Sequence, residues 1–185
     1  MIPTSFFRQD VLTVAPGLLG KIIVRKWEDG RIEKFRITET EAYRGMEDLA
    51  CHAAKGRTKR TEVMFHAGGK LYVYLIYGMY WLLNIVTGNE DDPQAVLIRS
   101  CESVSDAGKP VLYCGPGRVG KILQLDAKFY GELLPSPPIW IEDDGIVNKY
   151  KTTPRIGIDY AGEWKDKEWR FVGIFEREEA KTRKR

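Results

Sequence analysis

The chain has 185 residues, 43% of them hydrophobic and 30% charged, and a net charge of +3. That length and balance fit one globular domain with a real core and exclude a disordered chain. Three widely spaced cysteines, Cys51, Cys101 and Cys114, exclude a disulfide framework and imply a reducing compartment.

The start, MIPTSFFRQD, has neither the basic stretch nor the long apolar run of a secretion signal. A cytoplasmic, nucleoid-associated or nuclear location is expected. Asp10 is placed to cap a short helix, VLTVA, that ends at Pro16. Residues 21–27 read as a strand, Glu28-Asp29-Gly30 as a hairpin turn and residues 32–43 as the return strand. Residues 44–62 are polar, basic and glycine-containing, and read as a loop. Residues 71–84, LYVYLIYGMYWLLN, read as two strands with Gly78 near the tip and Tyr77 exposed there. Residues 94–100 form another strand. Residues 110–114 lead into Gly115-Pro116-Gly117 and a helix over 119–125. A proline-rich stretch, 134–138, precedes a strand at 139–142, and Ile156 and residues 171–175 mark late strands. With no repeat or linker, residues 1–185 are expected to form one α+β domain. It consists of a mostly antiparallel curved sheet, a protruding aromatic hairpin, few helices and a frayed basic tail at 177–185.

The aromatic tract is the densest signal. It holds Tyr72, Tyr74, Tyr77 and Tyr80 beside Trp81, and a plain core has little use for so many phenols, because each buried hydroxyl needs a partner. Flat faces with polar tips suit proteins that hold bases outside a duplex. The competing reading is a buried hairpin with incidental tyrosines. No charge separates Lys70 from Glu90, but Gly78, Asn84, Thr87, Gly88 and Asn89 interrupt the run, so no membrane span is expected. Lys55, Arg57, Lys59 and Arg60 crowd one segment and suggest phosphate contacts; the alternative is a solvated loop.

Strict alternation along 32–43 puts Phe35, Ile37, Glu39, Glu41 and Tyr43 on one face. A carboxylate on a partly apolar face holds its proton more tightly and suits a general base. The alternative is an edge strand with both glutamates solvated. The two histidines, His52 and His66, have no matching ligands at zinc spacing, so no metal is expected. Residues 115–122, GPGRVGKI, fit the G-x-x-x-x-G-K of a phosphate-binding loop. Ile122 stands where a magnesium-binding Ser or Thr belongs, and Pro116 removes an amide from the cradle. The amides at that helix start remain a candidate phosphate contact.

Taken in order, ETEAY at 39–43, EDLACH at 47–52, the aromatic tract, VLIR at 96–99, GPGRVGKILQL at 115–125 and PRIGIDYAGEW at 154–164 resemble the alkyladenine (3-methyladenine) DNA glycosylase family. The resemblance spans most of the chain. It implies a compact antiparallel-rich α/β fold and a cofactor-free, monofunctional enzyme that flips a damaged purine from duplex DNA and hydrolyses its N-glycosidic bond. By the same resemblance Glu41 activates the water, Arg99 helps to hold it, and the Ile156 carbonyl contributes. The base would stack between Tyr43 with His52 on one side and Tyr74 on the other, with the His52 amide reading its edge. Tyr77 would wedge into the duplex, Asn84 would obstruct the amine of guanine, and Met64, Met79 and Tyr80 would shape the minor-groove surface. Arg57 and Arg60 lie in a loop that departs from the family at Lys59. A monomer acting on double-stranded DNA follows, with a noncatalytic nucleic-acid-binding module and a P-loop nucleotidase as the competing functions.

Overall fold

The computed structural model describes residues 1–104, 109–146 and 149–175. The tail at 177–185 lies outside them. Nine strands, β1 (Ile22–Lys26), β2 (Ile32–Arg44), β3 (Leu71–Ile76), β4 (Tyr80–Thr87), β5 (Gln94–Ser103), β6 (Leu112–Cys114), β7 (Ile139–Glu142), β8 (Lys149–Thr153) and β9 (Arg170–Ile174), join in one sheet. Its main path is β3-β4-β5-β2-β1-β7, with β6 on β5, β9 on β2 and β8 on β9. Every ladder between these strands is antiparallel. The helices α1 (Thr4–Phe7), α2 (Val11–Gly17) and α3 (Pro116–Ile122) are short. None of the described helices is long and apolar enough to cross a membrane. This is the α+β fold expected.

Asp10 caps α2 by accepting from the Leu12 amide at 2.8 Å, and Pro16 falls inside the last turn. One sheet face packs Phe35, Ile37, Ala42, Ile85, Val96 and Ile98 against Val14 and Ala15 of α2 and Val119 of α3. The opposite face of the hairpin and β5 offers Tyr72, Val86 and Ala95. Residues read as plain loop cover it: 3-10 turns at His52–Lys55 and Glu62–Phe65 bury Ala53, Val63, Met64 and Phe65 there.

Three other expectations are corrected. The helix expected at 119–125 begins at Pro116, because Gly115 caps it with φ 101° and proline suits a first helical position. Lys121 therefore sits in its last turn rather than at the mouth of an anion cradle, so no phosphate-binding loop is built. Ile156 lies in the turn after β8, outside any strand. The glutamates of β2 do not share a face with Phe35 and Ile37. Pairing runs from Ile37 with Cys101 to Glu39 with Ser100 to Thr40 with Ile98, so Thr38 and Arg99 are each left unpaired in a double bulge. Past it Thr40 and Ala42 face the helical core, with the Thr40 hydroxyl donating to the Ala15 carbonyl at 2.9 Å. Glu39, Glu41 and Tyr43 turn to the other side.

The hairpin tip is a turn at 76–79, closed by the Met79 amide on the Ile76 carbonyl at 3.1 Å, with Tyr77 at φ 53° and Gly78 at φ 67°. Positive φ at both central residues is the turn whose twist matches paired strands. The tip end of β4 rests on α3. A Cβ at Gly120 would lie 1.8 Å from the Trp81 carbonyl oxygen, and one at Gly117 would lie 2.9 Å from the Tyr80 ring. The glycines of GPGRVGKI thus permit close approach of helix and strand. Gly120→Ala is expected to lower stability by about 1–3 kcal/mol, the usual cost of overpacking, read as a fall in thermal midpoint. An unchanged midpoint would show that the contact yields freely.

Candidate active site

A cavity of about 300 Å³ opens on the glutamate side of the sheet. Its lining brings together Tyr43, His52, Met64, Tyr74, Tyr77, Asn84, Arg99 and Ile156 of the residues singled out from sequence. Glu41 lies behind this wall, with no exposed surface. Its carboxylate accepts from the Tyr43 hydroxyl at 2.8 Å, from Arg99 Nη1 at 3.1 Å and from the Ile156 amide at 2.8 Å. A carboxylate offers about four acceptor positions, so three donors leave one for a further ligand such as water.

Arg99 is shared. Its Nε donates to Glu39 Oε1 at 2.9 Å, and Arg170 Nε donates to the same oxygen at 2.5 Å. The Ser100 hydroxyl donates to Glu39 Oε2 at 3.2 Å. Burial pushes the Tyr43 phenol well above the usual range, with Glu41 adding to it. Burial likewise raises Tyr74, and takes Tyr72 up to about 12. Burial, helped by the nearby charges of Arg60 and Lys55, pulls His52 down to about 4. These rings are therefore uncharged at neutral pH.

His52 Nδ1 is hydrogen-bonded to the Tyr72 hydroxyl at 2.8 Å, and its ring meets Tyr74 edge-on with centroids 4.7 Å apart. Asn84 is 3% exposed, and its Nδ2 donates to the Tyr72 carbonyl at 3.1 Å. Met64 is 1% exposed, so it forms cavity wall rather than outer surface. Tyr77, 82% exposed, stands at the rim with Met79 and Tyr80 exposed beside it. The two arginines of the basic segment differ. Arg57 is paired with Glu62 and Asp91 and lies over the Phe65 ring. Arg60 lies 4.9 Å over the Tyr74 ring at the cavity edge. Among the described residues no cluster of His, Cys, Asp and Glu is arranged to hold a metal ion.

Three features were not found from sequence. Tyr160 lines the cavity at 69% exposure, from the 3-10 segment Asp159–Asp166. Arg170 reaches Glu39 from β9. Asp48 and Arg155 form a fully buried ion pair at 2.5 and 2.9 Å. Arg155 also donates to the Ala42 and Trp164 carbonyls and lies 4.8 Å over the Tyr43 ring, which fixes the turn that carries Ile156. Asp48, Arg155 and Tyr160 do fall in the quoted EDLACH and PRIGIDYAGEW stretches, but nothing local marks Asp48 and Arg155 as partners.

The family model for methylpurine-DNA glycosylase matches residues 5–174. A provisionally named 3-methyladenine DNA glycosylase of Psychrobacter cryohalolentis is 41% identical, with 91% of this chain and 89% of that protein aligned. One of Methanocella arvoryzae is 41% identical over 92% and 91%, and one of Legionella pneumophila strain Lens 44% identical over 92% of each. A match over nearly all the described fold, at this identity, leaves one assignment: the chain belongs to the methylpurine-DNA glycosylase family.

Proposed function

We propose that this chain is a monofunctional DNA glycosylase. It extrudes an alkylated or deaminated purine nucleotide from duplex DNA into the aromatic cavity and hydrolyses its N-glycosidic bond. The observation that carries this reading is the buried Glu41 carboxylate, held by three donors with one acceptor position left, behind a cavity walled by neutral rings. A water on that position loses a proton to Glu41 as its oxygen bonds to C1′. The C1′–N bond breaks, and its electron pair leaves with the base. Arg99 and the Ile156 amide hold the carboxylate in line, and the Ile156 carbonyl is a further contact for the water. Among the described residues no lysine lines the cavity, which favours water over a Schiff-base nucleophile.

Extrusion costs a few kcal/mol, on the order of what one aromatic stacking contact returns, which suits Tyr77 as the wedge that fills the vacated stack. Met79 and Tyr80 flank it against the minor groove, and Met64 shapes the cavity beneath. A base seated between His52 with Tyr43 and Tyr74 would separate the His52 and Tyr74 rings to about 7 Å, two stacking steps, so entry opens their edge contact. The enzyme is read as a monomer acting in the cytoplasm or nucleus. A noncatalytic binding module would have no use for a desolvated carboxylate with matched donors. A P-loop nucleotidase is opposed by Lys121 at the far end of α3.

Three outcomes test this reading. Glu41→Gln should lower single-turnover excision by about 10²–10⁴-fold while lesion binding persists, because the amide keeps its size but takes no proton. Excision at the parental rate would remove Glu41 from the role.

Binding should weaken with salt as phosphates shed counterions. Arg60→Ala should flatten the slope of log affinity against log salt by about one unit. Arg57→Ala should change it less, since two carboxylates already engage that side chain. Equal slopes for the parent and the Arg60 variant would make the loop a bystander.

Guanine differs from hypoxanthine by an amine on the minor-groove edge. Asn84, its amide tied to the Tyr72 carbonyl, stands to reject that amine. Asn84→Ser should gain slow excision of guanine, most visibly opposite a mismatch, where extrusion is easiest. A fall in thermal midpoint and in all activities together, with guanine still untouched, would reduce Asn84 to a sheet-stabilising residue.

A further inference from the structure

Glu41 does not have Arg99 to itself. Four charged side chains run in a line, Arg170 to Glu39 to Arg99 to Glu41, joined at 2.5, 2.9 and 3.1 Å. Their side chains are 23, 9, 12 and 0% exposed in that order, so water screens the line little. They come from three strands: β9, β2 and β5. Glu39 shares the face of Glu41 by alternation along β2, and Arg99 shares it by alternation from Leu97, the partner of Glu41; the double bulge separates this face from that of Phe35 and Ile37.

The bonding is specific at each link. Arg99 divides its guanidinium, Nε to Glu39 and Nη1 to Glu41. Glu39 receives Arg170 Nε on the oxygen that already takes Arg99, and the Ser100 hydroxyl on the other. Ser100 Oγ in turn accepts the Gly115 amide at 3.3 Å, and Arg170 Nη1 donates to Thr153 Oγ1 at 3.3 Å. Glu39 is thereby tied through Ser100 to the cap of α3, and Arg170 to β8. Glu39 draws Arg99 away from Glu41, and Arg170 offsets Glu39. The balance of that contest decides how much positive charge Glu41 feels.

We propose that Glu39 and Arg170, neither of which touches the cavity, are positioning residues that set the protonation of the Glu41 base by sharing Arg99. This rests on the glycosylase reading above. The other groups that face Glu41 are the Tyr43 phenol from its own strand and Tyr74 from β3, with Arg155 from the turn after β8 behind the Tyr43 ring. The phenols are neutral through the working range, and Asp48 already offsets Arg155. The titratable imbalance near Glu41 is thus concentrated in Glu39, Arg99 and Arg170.

The sign differs between the two residues. Removing Glu39 removes a negative charge and releases Arg99 to Glu41, so Glu41 sheds its proton at lower pH. Removing Arg170 subtracts a positive charge and leaves Glu39 to pull Arg99 harder, so Glu41 keeps its proton to higher pH. A merely structural role would lower the rate in both variants and move neither curve.

The test is single-turnover excision of 7-methylguanine from duplex DNA against pH. That base is already cationic and departs without prior protonation, so the acid limb reports the base catalyst. Glu39→Gln should shift the limb down by about one pH unit, and Arg170→Gln should shift it up by a similar amount. Arg170→Lys, which keeps the charge, should leave the limb near the parent's even where the rate falls. Thermal midpoints across the pH range confirm that each variant is folded where it is assayed. Shifts in the same direction, no shift in either glutamine variant, or equal shifts for Arg170→Lys and Arg170→Gln would overturn the inference while leaving the glycosylase reading intact. A parent that excises none of 7-methylguanine, 3-methyladenine and hypoxanthine at any pH overturns both.

Discussion

The rest of the structure depends on keeping one carboxylate dry. Glu41 has no exposed surface, and a lone buried carboxylate is untenable unless it is paired and hydrogen-bonded. Its three donors come from its own strand, from a strand 58 residues along and from a turn 115 residues along. The site therefore exists only when β2, β5 and the turn after β8 have met. Arg99, drawn into the same dry region, needs Glu39, and Glu39 needs Arg170, so the demand for charge balance runs outward through three strands until it reaches partial exposure. The Asp48–Arg155 pair meets a parallel demand on the other side: it locks the turn whose amide reaches Glu41, and it backs the Tyr43 ring.

Much of this was legible in the residues, and the parts that were not share a cause. The hairpin, its tip at Tyr77 and the cap at Asp10 follow from local chemistry, and local chemistry is what a sequence displays. The face of Glu41 was inferred from strict alternation with Phe35 and Ile37, and alternation is what the bulge at Thr38 and Arg99 breaks. Glu39, Glu41 and Tyr43 share a face as expected, but it is the face opposite the apolar start of the strand. β8, KYKTT, was missed because it pairs only with β9, and four of its five residues are exposed, so it carries no apolar pattern. Ile156 was expected in a strand, yet lying outside one is what leaves its amide free of a ladder and available to Glu41. Arg170 and Arg155 find their partners 131 and 107 residues away, and no spacing rule reaches that far.

GPGRVGKI shows how a motif can be made by packing alone. A phosphate cradle needs glycines at a helix start so that amides can surround an anion. Here the two helical glycines face β4, where a Cβ would strike the Trp81 carbonyl or the Tyr80 ring. The helix backs the start of β4, next to the turn that presents Tyr77. An exposed two-stranded tip is weak by itself and gains rigidity only from what it rests on. The pattern is thus a consequence of the protruding hairpin rather than of a nucleotide.

The same economy governs the charge of the cavity. Alkylation at a purine ring nitrogen leaves a cation, and ring faces attract a cation more than they attract a neutral base. That attraction requires every ring in the wall to be uncharged, and His52 is the one that would ordinarily gain a proton in mildly acidic surroundings. Burial is the largest influence holding it near 4, and Arg60 and Lys55 come next. Those cations stand in the segment best suited to draw in phosphate, and Arg60 also lies over the Tyr74 ring. The basic rim therefore adds to the burial that keeps His52 neutral behind it. Arg60, over the Tyr74 ring, is consequently coupled to the quality of the cavity, whereas Arg57 is engaged by Glu62 and Asp91.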